Sequence, residues 1–139
     1  MNSNTSLHTI IFVSSVTEII STEEVAIIVD NERKQSNAND LSGIAMVLGG
    51  NVLRMIEGPH KNVMEEYEKA KRNPNLTSII KLLDSPSAHR YFETYVFMSD
   101  IHASINDYTG EDMENYLEEC FSLDTKEMRI LKDFIKNNK

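Results

Sequence analysis

Two apolar runs, Leu41 to Leu48 and Asn51 to Glu57, are separated only by Gly49-Gly50. Paired glycines supply the positive φ angles of a tight two-residue turn, so the two runs read as adjacent antiparallel strands. What flanks this hairpin is then constrained. Upstream, residues 7 to 14 contain Ile10, Ile11, Phe12 and Val13 in succession, a short β-rich run of the kind covered on both faces. Between that run and the hairpin, Ser21 is followed three residues later by Glu24, the reciprocal cap that opens an apolar-periodic helix reaching about Lys34. Downstream, Gly58-Pro59 closes the hairpin, and Val63, Met64, Tyr67 and Ala70 recur at helical spacing as far as Asn73-Pro74. Leu76 to Leu83 reads as a strand, Asp84 to Ser87 as a turn and Tyr91 to Met98 as an aromatic-rich strand.

The order βαββαββ predicts an α+β, ferredoxin-like sandwich. Right-handed crossover places both helices on one face of a mixed sheet, with the first two strands parallel in sense. The open face needs a cover. The tail supplies it in helices over residues 110 to 121 and, after Asp124 with Glu127 three positions on, residues 125 to 137, where Met128, Leu131, Phe134 and Ile135 form an apolar stripe. A length of 139 residues fits one core. Residues 1 to 99 therefore read as the domain and 100 to 139 as its helical extension, with too few residues after 98 for a second catalytic domain.

Charge and motif content exclude several functions. A net charge of −8 opposes binding to nucleic-acid phosphates. Cys120 has no disulfide partner, and the N-terminus has no basic region leading into a long apolar run. With no stretch near ~18 apolar residues, the expectation is a cytoplasmic protein without membrane contact. His8, His60, His89 and His102 lack metal-ligand spacing. Ser14 and Ser15 have no nucleophile elbow, and Gly49-Gly50 lies between strands rather than in a phosphate loop. An acylphosphatase would use a related sheet, but Ser15 to Ile20 holds neither the Gly nor the Arg of a phosphate cradle. The chain is not expected to be an enzyme.

Phe12-Val13-Ser14, Leu41-Ser42-Gly43-Ile44, Met55-Ile56-Glu57-Gly58 and Arg90-Tyr91-Phe92, taken as an ordered set over roughly residues 7 to 98, resemble the BLUF family of blue-light sensors that use FAD. The tail looks like the extra helices of short stand-alone members. The resemblance implies an isoalloxazine ring between the two helices, switched by a Tyr on strand one, an Asn ending helix one and a Gln on strand three. The matching positions here carry Phe12, Ser36 and Arg54, while Gln35, Lys69 and Asn73 match other flavin-contacting positions. Tyr95 and Phe97 stand where the family often has Trp and Met.

These substitutions have direct chemical consequences. Phe12 has no hydroxyl to donate, Ser36 is shorter than Asn by an amide group, and Arg54 has donors where Gln offers both donor and acceptor. The implied cofactor is FAD, bound weakly or not at all. The expected function is a signalling or regulatory module that acts through protein contacts, as a homo-oligomer or with another protein. The alternatives are a FAD-binding photoreceptor with an atypical site and a binder of another anionic small molecule. Strand alternation puts Arg54 on one face with Val52 and Ile56 and sets Leu53, Met55 and Glu57 on the other, and the resemblance implies that the first set faces the helices. There it must snorkel to solvent, the reading that long cationic side chains favour, or else plug the cleft in an ion pair or hold an anion.

Overall fold

The computed structural model describes residues 6–16, 21–99, 111–120 and 125–138. Strand β1 (Leu7–Val16) leads to helix α1 (Thr22–Ala38), the hairpin β2 (Ser42–Leu48) and β3 (Asn51–Pro59), helix α2 (His60–Lys71), β4 (Leu76–Pro86) and β5 (Tyr95–Ser99). Helices α3 (Glu111–Cys120) and α4 (Lys126–Asn137) follow. The sheet order is β4-β1-β3-β2-β5, antiparallel except where β2 pairs with β5. β1 and β2 thus run parallel with β3 between them, as a helical crossover requires. This is the expected α+β sandwich.

The α1 start is built as its sequence predicts: the Ser21 hydroxyl accepts from the Glu24 amide at 3.2 Å. Gly49 and Gly50, with φ of +59° and +82°, form the turn that sets Val47 opposite Val52.

Alternation along the strands divides the core in two. Ile10, Phe12 and Ile56 meet Val63, Tyr67 and Ala70 of α2, and Ala45, Tyr95 and Phe97 meet Val29 of α1. On the opposite face Ile11, Met46, Leu53, Met55 and Val96 pack against Leu117 of α3 and Met128, Leu131, Phe134 and Ile135 of α4. The apolar stripe of the tail does cover the open face, each such side chain contributing about 1.5–3 kcal/mol when fully buried.

Four local expectations are corrected. The segment 84–86 is strand rather than turn, because β1 continues to pair with it through His8 to Pro86 past a bulge near Ile11 and Phe12. The fifth strand begins at Tyr95, since Tyr91 and Phe92 give their amides to a side chain rather than to a neighbouring strand. Helix α1 runs to Ala38, beyond Lys34. Helix α4 is capped by Thr125, whose hydroxyl accepts from the Met128 amide at 3.2 Å; Asp124 lies outside the described residues, as do His102, Thr17 to Ile20 and the side chains of Glu111 and Asp112.

Gly43 marks the tightest approach in the sheet. Its φ is +145°, and a Cβ there would lie 1.9 Å from the Met55 carbonyl oxygen. A Gly43→Ala substitution is expected to lower unfolding free energy in urea by about 2–4 kcal/mol. Gly50→Ala, with nothing within 4 Å of its Cβ and φ at +82°, should lose only the left-handed backbone cost of about 1–2 kcal/mol.

Candidate functional site

The α1/α2 face of the sheet holds a cavity of about 220 Å³. Its floor follows from the register: Arg54 lies beside Ala45, and Val52 beside Val47, on the same face. Tyr95 and Phe97 of β5 continue that floor, while Val25, Ile28 and Val29 of α1 wall one side. The polar part of the lining comprises Arg54, Glu66, Glu32 and the ring of Tyr95, with Gln35, Lys69 and Asn73.

Arg54 is 7% exposed and does not snorkel to solvent. Its Nη1 donates to Glu66 Oε2 at 3.1 Å, and the side chains of the pair are 9% and 13% exposed. Sequence reasoning favoured an exit to the surface. The carboxylate one helix turn before Lys69 makes that exit unnecessary, and the ion pair in the cleft is the arrangement found. The guanidinium carbon also lies 5.7 Å from the centre of the Tyr95 ring. Burial acts to strip the Arg54 proton, but the carboxylates of Glu32 and Glu66 hold the group above its ordinary value.

Tyr95 donates its hydroxyl to Glu32, and its carbonyl accepts from Arg33 Nε at 3.2 Å. Burial, then the Glu32 charge, pushes the phenol well above its usual range, so it stays neutral. Arg54 Nε is buried without a partner, and such a donor costs about 1–3 kcal/mol.

Of the six positions singled out from sequence, Gln35, Arg54, Lys69 and Asn73 line the cavity. Lys69 Nζ donates to Gln35 Oε1 and links α2 to α1. Phe12 and Ser36 do not line it. Phe12 is fully buried under Tyr67, the two rings meeting edge to face at 5.3 Å between centres. Ser36 is buried near the end of α1, where its carbonyl accepts from the Leu41 amide at 2.8 Å. Glu32 and Glu66 were missed. Each stands three residues before a residue that was noticed, Gln35 and Lys69, and helical spacing puts such pairs on one face.

Away from the cleft, Glu57 is 1% exposed on the other face of β3. It accepts from the amides of Tyr91 at 2.9 Å and Phe92 at 2.6 Å, and from the Ser42 hydroxyl at 2.9 Å, while Arg90 bonds that same hydroxyl. Burial raises its carboxyl above the ordinary 4.5 against the pull of those donors. His8 meets His60 edge to face and pairs with Asp84. Among the described residues no group of three or more His, Cys, Asp or Glu could hold a metal ion. Cys120 packs against the tail-side core, where burial pushes its thiol up. Among the described residues no helix is long and apolar enough to cross a membrane.

The architecture is thus a sandwich with a cleft of about 220 Å³ between its two crossover helices. The family model for BLUF, sensors of blue-light using FAD, matches residues 7–98, and the chain belongs to that family. A BLUF domain is a sensor module and not itself a catalyst. No curated protein sequence matches the chain. Among solved structures, Klebsiella pneumoniae BlrP1 in its manganese/cy-diGMP complex aligns with a TM-score of 0.78 at 17% identity, over 94% of this chain and 33% of that one. BlrB, a BLUF protein in its dark state, aligns with a TM-score of 0.68 at 19% identity, over 86% of this chain and 99% of that one. A bacterial light-regulated adenylyl cyclase gives 0.66 at 18%, over 91% and 36%. At these identities the likeness is one of fold. This chain spans about a third of the length of the BlrP1 chain.

Two outcomes test the site. Glu66→Gln is expected to destabilise the protein by about 1–3 kcal/mol in urea, because the buried Arg54 loses its ion-pair partner and keeps only the Glu32 carboxylate and the Tyr95 ring; Arg54→Met with Glu66→Leu should recover most of that loss. For Glu57, the folded value lies above the unfolded one, so its contribution favours the fold at low pH and is lost as pH rises through the raised value. Asp84, lowered below 3.8 by the hydrogen bonds of Lys81 and His8, acts oppositely and in a more acid window. The urea midpoint of the wild type should therefore gain on that of Glu57→Gln as the pH falls toward the ordinary carboxyl value of 4.5. A constant difference would contradict the assignment.

Proposed function

We propose that this chain is a BLUF-family signalling or regulatory module that acts through protein contacts and does not run the flavin photocycle. The observation that carries this reading is the Arg54–Glu66 ion pair in the cleft between α1 and α2, where the family resemblance puts the ring. Three physical points support it. A cavity of about 220 Å³ is below the ~300–1,000 Å³ usual for drug-sized ligands. The position matched to the switch Tyr is Phe12, which has no hydroxyl and is sealed beneath Tyr67. Arg54 has no acceptor atom for the exchange that an amide performs and is already engaged.

The reading includes a partner surface supplied by a second copy or another protein, in the cytoplasm. It does not include binding of an anion. The charges that line the cleft, Arg54 and Lys69 against Glu32 and Glu66, cancel, and an added anion would meet both carboxylates. The competing reading, a FAD-binding photoreceptor with an atypical ring environment, rests on Gln35, Lys69 and Asn73 lining the same cleft.

Absorption spectroscopy of the purified protein, before and after blue illumination and with FAD added, separates the two. The proposal expects no reversible red shift of a flavin band. A shift that forms in light and decays in the dark would overturn it, and Arg54 would then have to leave Glu66 when the ring binds.

A further inference from the structure

Two histidines meet where α2 begins. His8 is 8% exposed on β1, in the row of Ile10 and Phe12, and its ring lies 4.5 Å from that of His60, the first residue of α2, with the planes at 71°. Asp84 of β4 pairs with His8 Nε2 and also accepts from Lys81 Nζ at 2.8 Å. Hydrogen bonds from Lys81 and His8 hold the Asp84 carboxyl below its ordinary 3.8, so it keeps its charge through the range in which imidazoles titrate. A proton on His8 is thereby compensated. A proton on His60 is not: α2 starts with no side-chain cap and no acidic residue in its first turn, and Lys61 follows, so a cation there meets the positive end of the helix. Among the described residues the other charges around the pair are engaged, Lys81 with Asp84 and Asp40, past the close of α1, with Arg90 at 2.9 Å. β3 places Gly58 beside His8 and turns Glu57 to the opposite face. None of these residues lines the cleft. We propose that His8 and His60 form a proton-operated catch, which holds the start of α2 against β1 while His60 is neutral and releases it when both rings carry protons.

Edge-to-face rings attract while at most one of them is charged, and two imidazolium rings at this separation repel. The contact therefore holds at neutral pH and is lost as pH falls through the imidazole range. Two further ties steady the turn: the His60 amide donates to the Ser6 carbonyl at 3.1 Å, and the Asn62 side chain donates to the Asn39 carbonyl at 2.6 Å. Val63 and Tyr67 lie buried beyond them, so release frees residues 60 to 62 and leaves the rest of α2 docked.

Amide hydrogen exchange in the full ¹⁵N-labelled chain, with each rate corrected for the intrinsic effect of pH, tests the catch. The amides of Met64 and Glu65 reach back to the carbonyls of His60 and Lys61 and so report on the turn. Their protection should fall about tenfold between about pH 7.5 and about pH 5.5, while that of Ile11 and Leu53 in the central strands does not fall. His60 is exposed, so its variants keep the fold. His60→Phe retains a ring against His8 but takes no proton, and its protection at Met64 and Glu65 should stay level over the same range. His60→Ala removes the contact and should show the low protection at both pH values. Level protection in the wild type, or an equal fall in His60→Phe, would overturn the proposal. An equal fall at Ile11 and Leu53 would overturn it too, because that marks loss of the whole fold rather than release of one turn.

Discussion

A permanent cation on the inward face of the central strand governs the cleft. Arg54 cannot neutralise itself by losing a proton, and burial of an unpaired guanidinium costs several kcal/mol, so the surrounding elements must compensate it where it stands. α2 supplies Glu66, β5 supplies the ring of Tyr95, and α1 holds that ring through Glu32. One side chain thereby ties three elements to β3. The same residues line the space between the helices, so stability and occupancy of the cleft are linked.

β3 carries a buried carboxyl group on its other face, and its partners differ from those of Arg54. Glu57 is compensated by backbone amides and a hydroxyl, with Arg90 one hydrogen bond further away at Ser42. That arrangement fixes the segment before β5 against the end of the hairpin, and so sets where Tyr95 enters the sheet beside Gly43. The carboxylate on the tail side thus helps aim the aromatic ring that meets the guanidinium on the helix side. β3 couples the two faces through its alternation, while the tail helices bury the side chains between them.

Much of this was legible in the sequence because it rests on local chemistry. The Gly49-Gly50 turn, the Ser21 cap and the apolar stripe of Met128, Leu131 and Phe134 each have a physical reason that needs no tertiary context. Strand alternation grouped Arg54 with Val52 and Ile56, and the family resemblance set that face toward the helices. The partner of Arg54 followed from neither, because Glu66 is twelve residues away on another element and reads as one more acidic residue on a solvated helix. The segment 84–86 read as a turn from its Ser and Pro, yet pairing with β1 carries the strand through it. The late start of β5 was hidden for the same kind of reason, since the amides of Tyr91 and Phe92 are claimed by Glu57 from a distant strand.

The central claim is that an ion pair, rather than a ring, stands between α1 and α2. A crystal structure of the protein grown in the dark with excess FAD tests it most directly. The account predicts Arg54 Nη1 bonded to Glu66 and no tricyclic density in the cleft. Planar density there, with Arg54 swung away from Glu66 and Phe12 uncovered by Tyr67, would contradict it.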